Sequence, residues 1–137
     1  MPPAVEMNYL AVLVGAIISV AVGALWFSPV LFGNAWLQLV GKTKEQAEKD
    51  FSPMKIVWAL IWGFVLSYGL ARVIVWTGKN SPVDGLMLGV LACIVFAIST
   101  MAVNHSFEGR DMKLTSIYAG HHLVEFAAIG AVLGTWM

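Results

Sequence analysis

The chain has 137 residues, of which 59% are hydrophobic and only 12% charged, and its formal net charge is zero. A soluble domain carries about a quarter charged residues, and no water-soluble fold of this length could bury so much apolar surface. The balance excludes a water-soluble globular protein, and the lack of net positive charge or of a like-charge run argues against a nucleic-acid partner.

Four apolar stretches, approximately residues 8–27, 54–76, 83–104 and 114–136, are long enough to span the membrane. A helix needs roughly 20 residues to cross a hydrocarbon core of about 30 Å. The runs are continuous rather than alternating, which selects helices over barrel strands. The expected fold is all-α: one polytopic domain over residues 1–137 with four transmembrane helices, a short interfacial helix after the first, and the lipid bilayer as partner.

The first stretch is flanked by Glu6 and no Lys or Arg, and it exceeds the apolar core of a signal peptide, so it reads as a retained helix. Pro29 ends or kinks it. Beyond Pro29, Leu31, Phe32, Ala35, Trp36 and Leu39 recur at helical spacing, predicting a short helix in the interface with Trp36 at headgroup depth. From Gly41 to Phe51 the chain is hydrophilic, and Thr43-Lys44-Glu45-Gln46 resembles a capping box opening a short helix. Its mixed charges suit a solvated face, with docking of a partner as the alternative.

Ser52-Pro53 and Ser81-Pro82 open the second and third spans, each a capping hydroxyl followed by proline at the first helical position. Asp84 then falls in a first turn, where a carboxylate suits the helix dipole. The single cysteine, Cys93, has no partner for an internal disulfide and reads as a small residue on a helix face.

Small residues recur every fourth position on all four spans: Gly15, Ser19 and Gly23; Ala59, Gly63, Ser67 and Ala71; Gly85, Gly89, Cys93 and Ala97; and Ala127 with Ala131 beside Gly130 with Gly134. Lipid tails are as apolar as leucine, so membrane helices associate through such close-packing ridges. Some of these ridges can face a second copy. Four short helices leave little interior volume, and a homo-oligomer is the preferred state.

Ionisable groups deep in a bilayer mark interior or functional positions. Tyr118, His121, His122 and Glu125 fall on one face of the fourth span, and Arg72 lies about one turn inside the outer end of the second. The polar face has three readings: a hydrogen-bonded network pinning helices, a proton relay or cavity lining, or a metal or haem site. The last is disfavoured because His122 and Glu125 supply two ligands where a metal takes three or four. Arg72 either snorkels to headgroups or pairs with Glu125. In the turn between spans three and four, Asn104, His105, Glu108 and Arg110 surround Gly109, which suits a left-handed position. Glu108 and Arg110 are placed to tie the hairpin or the interfacial helix, with gating or binding as the alternative role.

Together these residues resemble a family of small bacterial four-helix membrane proteins of unknown function. The resemblance runs the full length and rests on Asn8-Tyr9-Leu10-Ala11, Trp26-Phe27-Ser28-Pro29 with Leu31-Phe32-Gly33 and Trp36, Phe107-Glu108-Gly109-Arg110, and Gly120-His121-His122-Leu123-Val124. The family pattern carries an aromatic residue at the His121 position, so His122 is the matching histidine. Glu125 and Arg72 fall outside that pattern. The resemblance implies a bacterial inner-membrane protein and supplies no activity.

No phosphate loop, zinc-protease motif or paired nucleophile and base is present, so the chain does not read as an enzyme, and no cofactor or metal is assigned. The expected function is a structural or accessory membrane component. The alternatives are a small channel or proton-linked transporter using His121, His122 and Glu125 on an unknown ion or small molecule, and a haem- or metal-binding protein. A solute-sized path lined by the polar face favours transport, whereas a dry closed bundle favours the accessory role.

Basic residues orient the chain. Lys42, Lys44, Lys49, Lys55, Arg110 and Lys113 lie on the side of loops one and three, against Arg72 and Lys79 on the other. The excess predicts loops one and three in the cytoplasm and both termini outside. In a Cys93→Ser background, a cysteine at residue 79 should react with an impermeant thiol reagent in intact cells, and one at residue 44 only after lysis. The reverse pattern overturns the assignment.

Overall fold

Backbone amides in hydrocarbon have no water to bond, so a spanning chain must satisfy them within its own segments. Helices do so here: the computed structural model describes residues 6–137, and no strand occurs among them. The fold is all-α and polytopic, with four helices long and apolar enough to cross a membrane.

Helix α1 (Tyr9–Trp26) opens on Asn8, whose side chain accepts a hydrogen bond from the Ala11 amide at 3.2 Å. It stops before Pro29, and the chain doubles back tightly, with the Gly33 amide donating to the Ser28 carbonyl at 2.9 Å. A Cβ at Gly33 would lie 2.5 Å from the Phe27 carbonyl oxygen, so this turn accepts only glycine. The expected interfacial helix follows as α2 (Gly33–Val40), ended by Gly41 in the left-handed region at φ 73°. Helix α3 (Lys44–Asp50) opens on the expected reciprocal capping box of Thr43 and Gln46. The Lys42 ammonium, 3.0 Å from Asp50, holds that exposed carboxyl below its ordinary range.

Helix α4 (Pro53–Thr77) is the second span. Its Ser52 hydroxyl makes no capping bond, unlike the expectation, and Pro53 at the first turn does the terminating alone. Ser81 does cap, accepting from the Asp84 amide at 3.1 Å. The third span, Pro82–Phe107, is interrupted: α5 (Pro82–Ala92) passes into a π-helical turn at Cys93–Ile98 before α6 (Ser99–Phe107). A π turn loosens the ordinary hydrogen-bond ladder, and here polar side chains bond its carbonyls. Thr100 Oγ1 donates to Phe96 O at 2.6 Å and to Ala97 O at 3.1 Å, and Ser99 donates to the Val95 carbonyl. Helix α7 (Met112–Trp136) is the fourth span.

The fourth span organises the bundle. α5 packs along its outer-numbered half, α1 lies between α7 and α4, and α4 and α5 barely touch. At the α5–α7 seam, a Cβ on Gly85, Gly130 or Gly134 would strike the facing helix's backbone, and one on Gly89 would strike the Phe126 carbonyl. Gly15 makes room for Ser67 and Ile129, and Gly63 for Ser19 and the Ala16 carbonyl. These ridges are thus occupied within one chain. A buried cluster of Ala11, Val12, Leu70, Ala71, Ile74, Ile129 and Leu133 closes the end of the bundle near loop two. Trp58 and Phe96 lie exposed on the outside, the surface that lipid solvates in a membrane.

Gly69 and Gly85 form a matched pair for testing the seam. A Cβ at Gly69 meets nothing within 4 Å, whereas one at Gly85 meets the Gly130 carbonyl. Gly85→Ala should cost about 1–3 kcal/mol in detergent unfolding, as overpacking does, and Gly69→Ala should stay within about 0.5 kcal/mol of wild type. Equal stabilities would show that the seam is not a packing contact.

Candidate functional site

Near the middle of α7, His121, His122 and Glu125 project to one side, at positions one and one-plus-a-turn apart. Glu125 is buried at 6% exposure. Ser19 Oγ, from α1, donates to its Oε1 at 2.6 Å. The other oxygen, Oε2, lies 3.3 Å from His122 Nδ1 and 3.6 Å from His121 Nε2. His121 Nε2 is buried and has no hydrogen-bond partner. Its ring is wedged between Phe27, at 5.1 Å between centroids, and His122, at 4.9 Å.

Tyr118 does not join this cluster, although it shares the helix face. Its hydroxyl accepts from Trp36 Nε1 at 2.9 Å and fastens α2 to the fourth span. Its ring packs on His105 and Phe27 at 5.7 and 5.9 Å. Trp26 adds a second tie, donating from Nε1 to the Ile117 carbonyl at 3.0 Å and lying over Gly120, where a Cβ would come within 2.8 Å of its ring. The aromatic residues around Pro29 therefore form a clamp that holds the end of α1 and all of α2 against α7.

Arg72 also stands apart. Its guanidinium lies 5.7 Å from the Tyr68 ring centroid and 5.6 Å from that of Trp76, one turn to either side on its own helix. Of the two readings of Arg72, the pair with Glu125 is not formed, and the cation–π contacts hold the side chain at the loop-two end of α4. In the hairpin, Glu108 pairs with Arg110 at 2.5 Å, Gly109 takes φ 68°, and His105 Nδ1 meets Thr115 Oγ1 at 2.8 Å. Glu108 and Arg110 thus tie the hairpin to itself, and His105 joins it to α7. The Asn104 carbonyl accepts from the Glu108 amide at 3.0 Å and closes the turn.

Beside the cluster opens a cavity of about 630 Å³. Ser19, His121, His122 and Glu125 make its polar floor; Ala59, Trp62 and Gly63 of α4 and Ala97 of the π turn wall it; Phe51 and Lys55 stand at its loop-one end. Gly23 lies against the His121 ring, its hypothetical Cβ 3.5 Å from Nε2. One ligand atom from each of His121, His122 and Glu125 falls within 4.8 Å of the others, so the donor set is three, not the two counted from the i, i+3 spacing. Adjacent residues on a helix point about 100° apart, which hides this convergence of His121 with His122 from a periodicity reading. Ser19 was legible only as a packing residue. Its role as the partner of Glu125 needed the register of α1 against α7.

No curated protein and no solved structure is detectably similar to this chain. Residues 10–134 match a family model described as Protein of unknown function (DUF1761), and the chain, covered over nearly its whole length, belongs to that family.

Proposed function

We propose that the protein handles a small amphipathic solute within the membrane, as a transporter- or channel-class bundle rather than a purely structural one. The observation that carries this reading is the cavity of about 630 Å³ with a polar floor and apolar walls. Ligand sites fall at about 300–1,000 Å³ and combine apolar walls with a few placed polar groups. A bundle serving only to hold other proteins needs no such volume, and the small-residue ridges that close the other end of this one were available to close both. In the proposed orientation, in a bacterial inner membrane with loops one and three cytoplasmic, Lys55 and Phe51 form the cytoplasmic mouth and Glu125 the deep end.

The slight contact between α4 and α5 leaves one flank of the bundle without a helical neighbour. In this reading a second copy of the chain covers that flank, which makes the working form a homo-oligomer.

A thiol-accessibility comparison tests the cavity. Ala59 lines it, whereas Ile17 is 54% exposed on the outer surface and lies outside it. In a Cys93→Ser background and inside-out vesicles, Ala59→Cys should react with a small charged thiol reagent while Ile17→Cys stays silent in lipid. Adding Ala24→Leu, which puts bulk at another lining position, should slow the reaction. Silence at both positions would return the chain to the structural, accessory reading.

A further inference from the structure

We propose that His121 Nε2, His122 Nδ1 and Glu125 Oε2 form a three-ligand site for a divalent transition-metal ion of the zinc type, with a fourth position open to the cavity. The inference rests on the solute reading above only for what occupies that fourth position.

Donor chemistry selects the class of ion. Two imidazoles and one carboxylate suit zinc, cobalt or iron, whereas magnesium and calcium take oxygen ligands almost exclusively. Geometry agrees. A tetrahedral ion with bonds of about 2.0–2.1 Å sets its ligand atoms roughly 3.3–3.4 Å apart. Here the two edges from Oε2 measure 3.3 and 3.6 Å; one ligand atom from each residue lies within 4.8 Å of the others, so binding requires the two imidazoles to close to the at most about 4.2 Å that one ion allows.

Hydrogen bonding alone leaves part of this arrangement unexplained. Ser19 and His122 each meet one oxygen of Glu125, while His121 Nε2 is buried with no partner. Leaving a buried polar atom unsatisfied costs about 1–3 kcal/mol. A cation between the three atoms engages that nitrogen and uses the same face of the carboxylate. Ser19, holding Oε1, orients the carboxylate so that Oε2 faces both rings, the kind of outer contact that commonly positions metal ligands. An ion of charge +2 on one carboxylate leaves a net charge of +1 at the site, which favours a hydroxide or an anionic solute group as the fourth ligand. Three protein ligands with one open position is the pattern of reactive rather than structural zinc sites.

Cobalt(II) is the probe, because tetrahedral cobalt absorbs visibly and hexaaqua cobalt hardly does. Chelator-stripped full-length protein in detergent should bind one Co²⁺ per chain with intense visible bands, displaced by Zn²⁺. His122→Ala and Glu125→Gln should each abolish the bands. Ser19→Ala should weaken binding by about 10–100-fold. His105→Ala, outside the cluster, should change nothing. Size-exclusion profile and helical circular dichroism identify any variant that has lost its fold, and His121→Ala then serves in its place. Absence of visible bands in wild type, or bands that survive both histidine substitutions, overturns the proposal. Reactivity at Ala59→Cys without cobalt bands removes the metal site and leaves the cavity; cobalt bands with a silent Ala59→Cys do the opposite.

Discussion

The arrangement depends on the backbone contact between α5 and α7. With no hydrophobic drive between helices in lipid, close approach must supply the attraction through dispersion and weak backbone contacts, and only residues without bulk permit it. Gly85, Gly89, Gly130 and Gly134 permit it over two turns. The contact cannot persist along the whole span, because the π turn at Cys93–Ile98 changes the register of the third helix. Below it, α6 and α7 separate. The cavity lies beside this part of the bundle, between α1, α4 and α7, with Ala97 of the π turn in its wall. A tight seam at one end and a register change in mid-membrane together produce a bundle closed at the loop-two end and open at the other.

At the other end an aromatic clamp fastens the end of α1 and α2 to α7. Trp26, Phe27 and Trp36 all bear on α7, through the Ile117 carbonyl, the His121 ring and the Tyr118 hydroxyl. Because Phe27 packs on His121 directly, the turn around Pro29 also limits how that imidazole can rotate. Two of the motifs that carry the family resemblance therefore meet in space: the run from Trp26 through Pro29 and Gly33 to Trp36, and Gly120 with His121. Their shared location supplies a physical reason for those residue types, since the turn needs Gly33, the Trp26 ring needs Gly120, and the clamp needs both indoles.

Much of this was readable in sequence, for reasons that differ by element. The four spans follow from hydropathy, which is a property of each segment alone, and so do the capping box at Thr43 and the turn at Gly109. The small-residue ridges were readable as ridges, but the pairing of Gly85 with Gly130 and of Gly15 with Ser67 depends on helix register, which no single segment encodes. The π turn left one local trace, Ser99 and Thr100 directly after an apolar run, and that trace is shared by many ordinary helices. Placing Tyr118 with the histidines failed because a common face does not imply a common partner: an indole from α2 reached the phenol first. For Arg72 the alternative of a pair with Glu125 gave way, since axial reach counted for less than two aromatic rings on its own helix.

Energetics narrow the state of the Glu125 cluster. An ionised side chain near the bilayer centre costs about 2.5–3.5 kcal/mol or more, while interhelical hydrogen bonds in membranes average about 0.6 kcal/mol and reach about 1.7. Two such bonds, from Ser19 and His122, do not offset a lone carboxylate. Compensation must come from a positive charge or a proton close by. Arg72 is held elsewhere by Tyr68 and Trp76, and Lys55 stands at the mouth of the cavity. Among the described residues, that leaves a proton on the carboxyl itself, the two imidazoles, or a cation bound between them. In each case Glu125 and the histidines act as one unit whose charge is shared, and whatever enters the cavity meets that unit rather than an isolated acid. In the proposed reading, discrimination between solutes therefore falls to the polar floor of Ser19, His121, His122 and Glu125 rather than to the apolar walls.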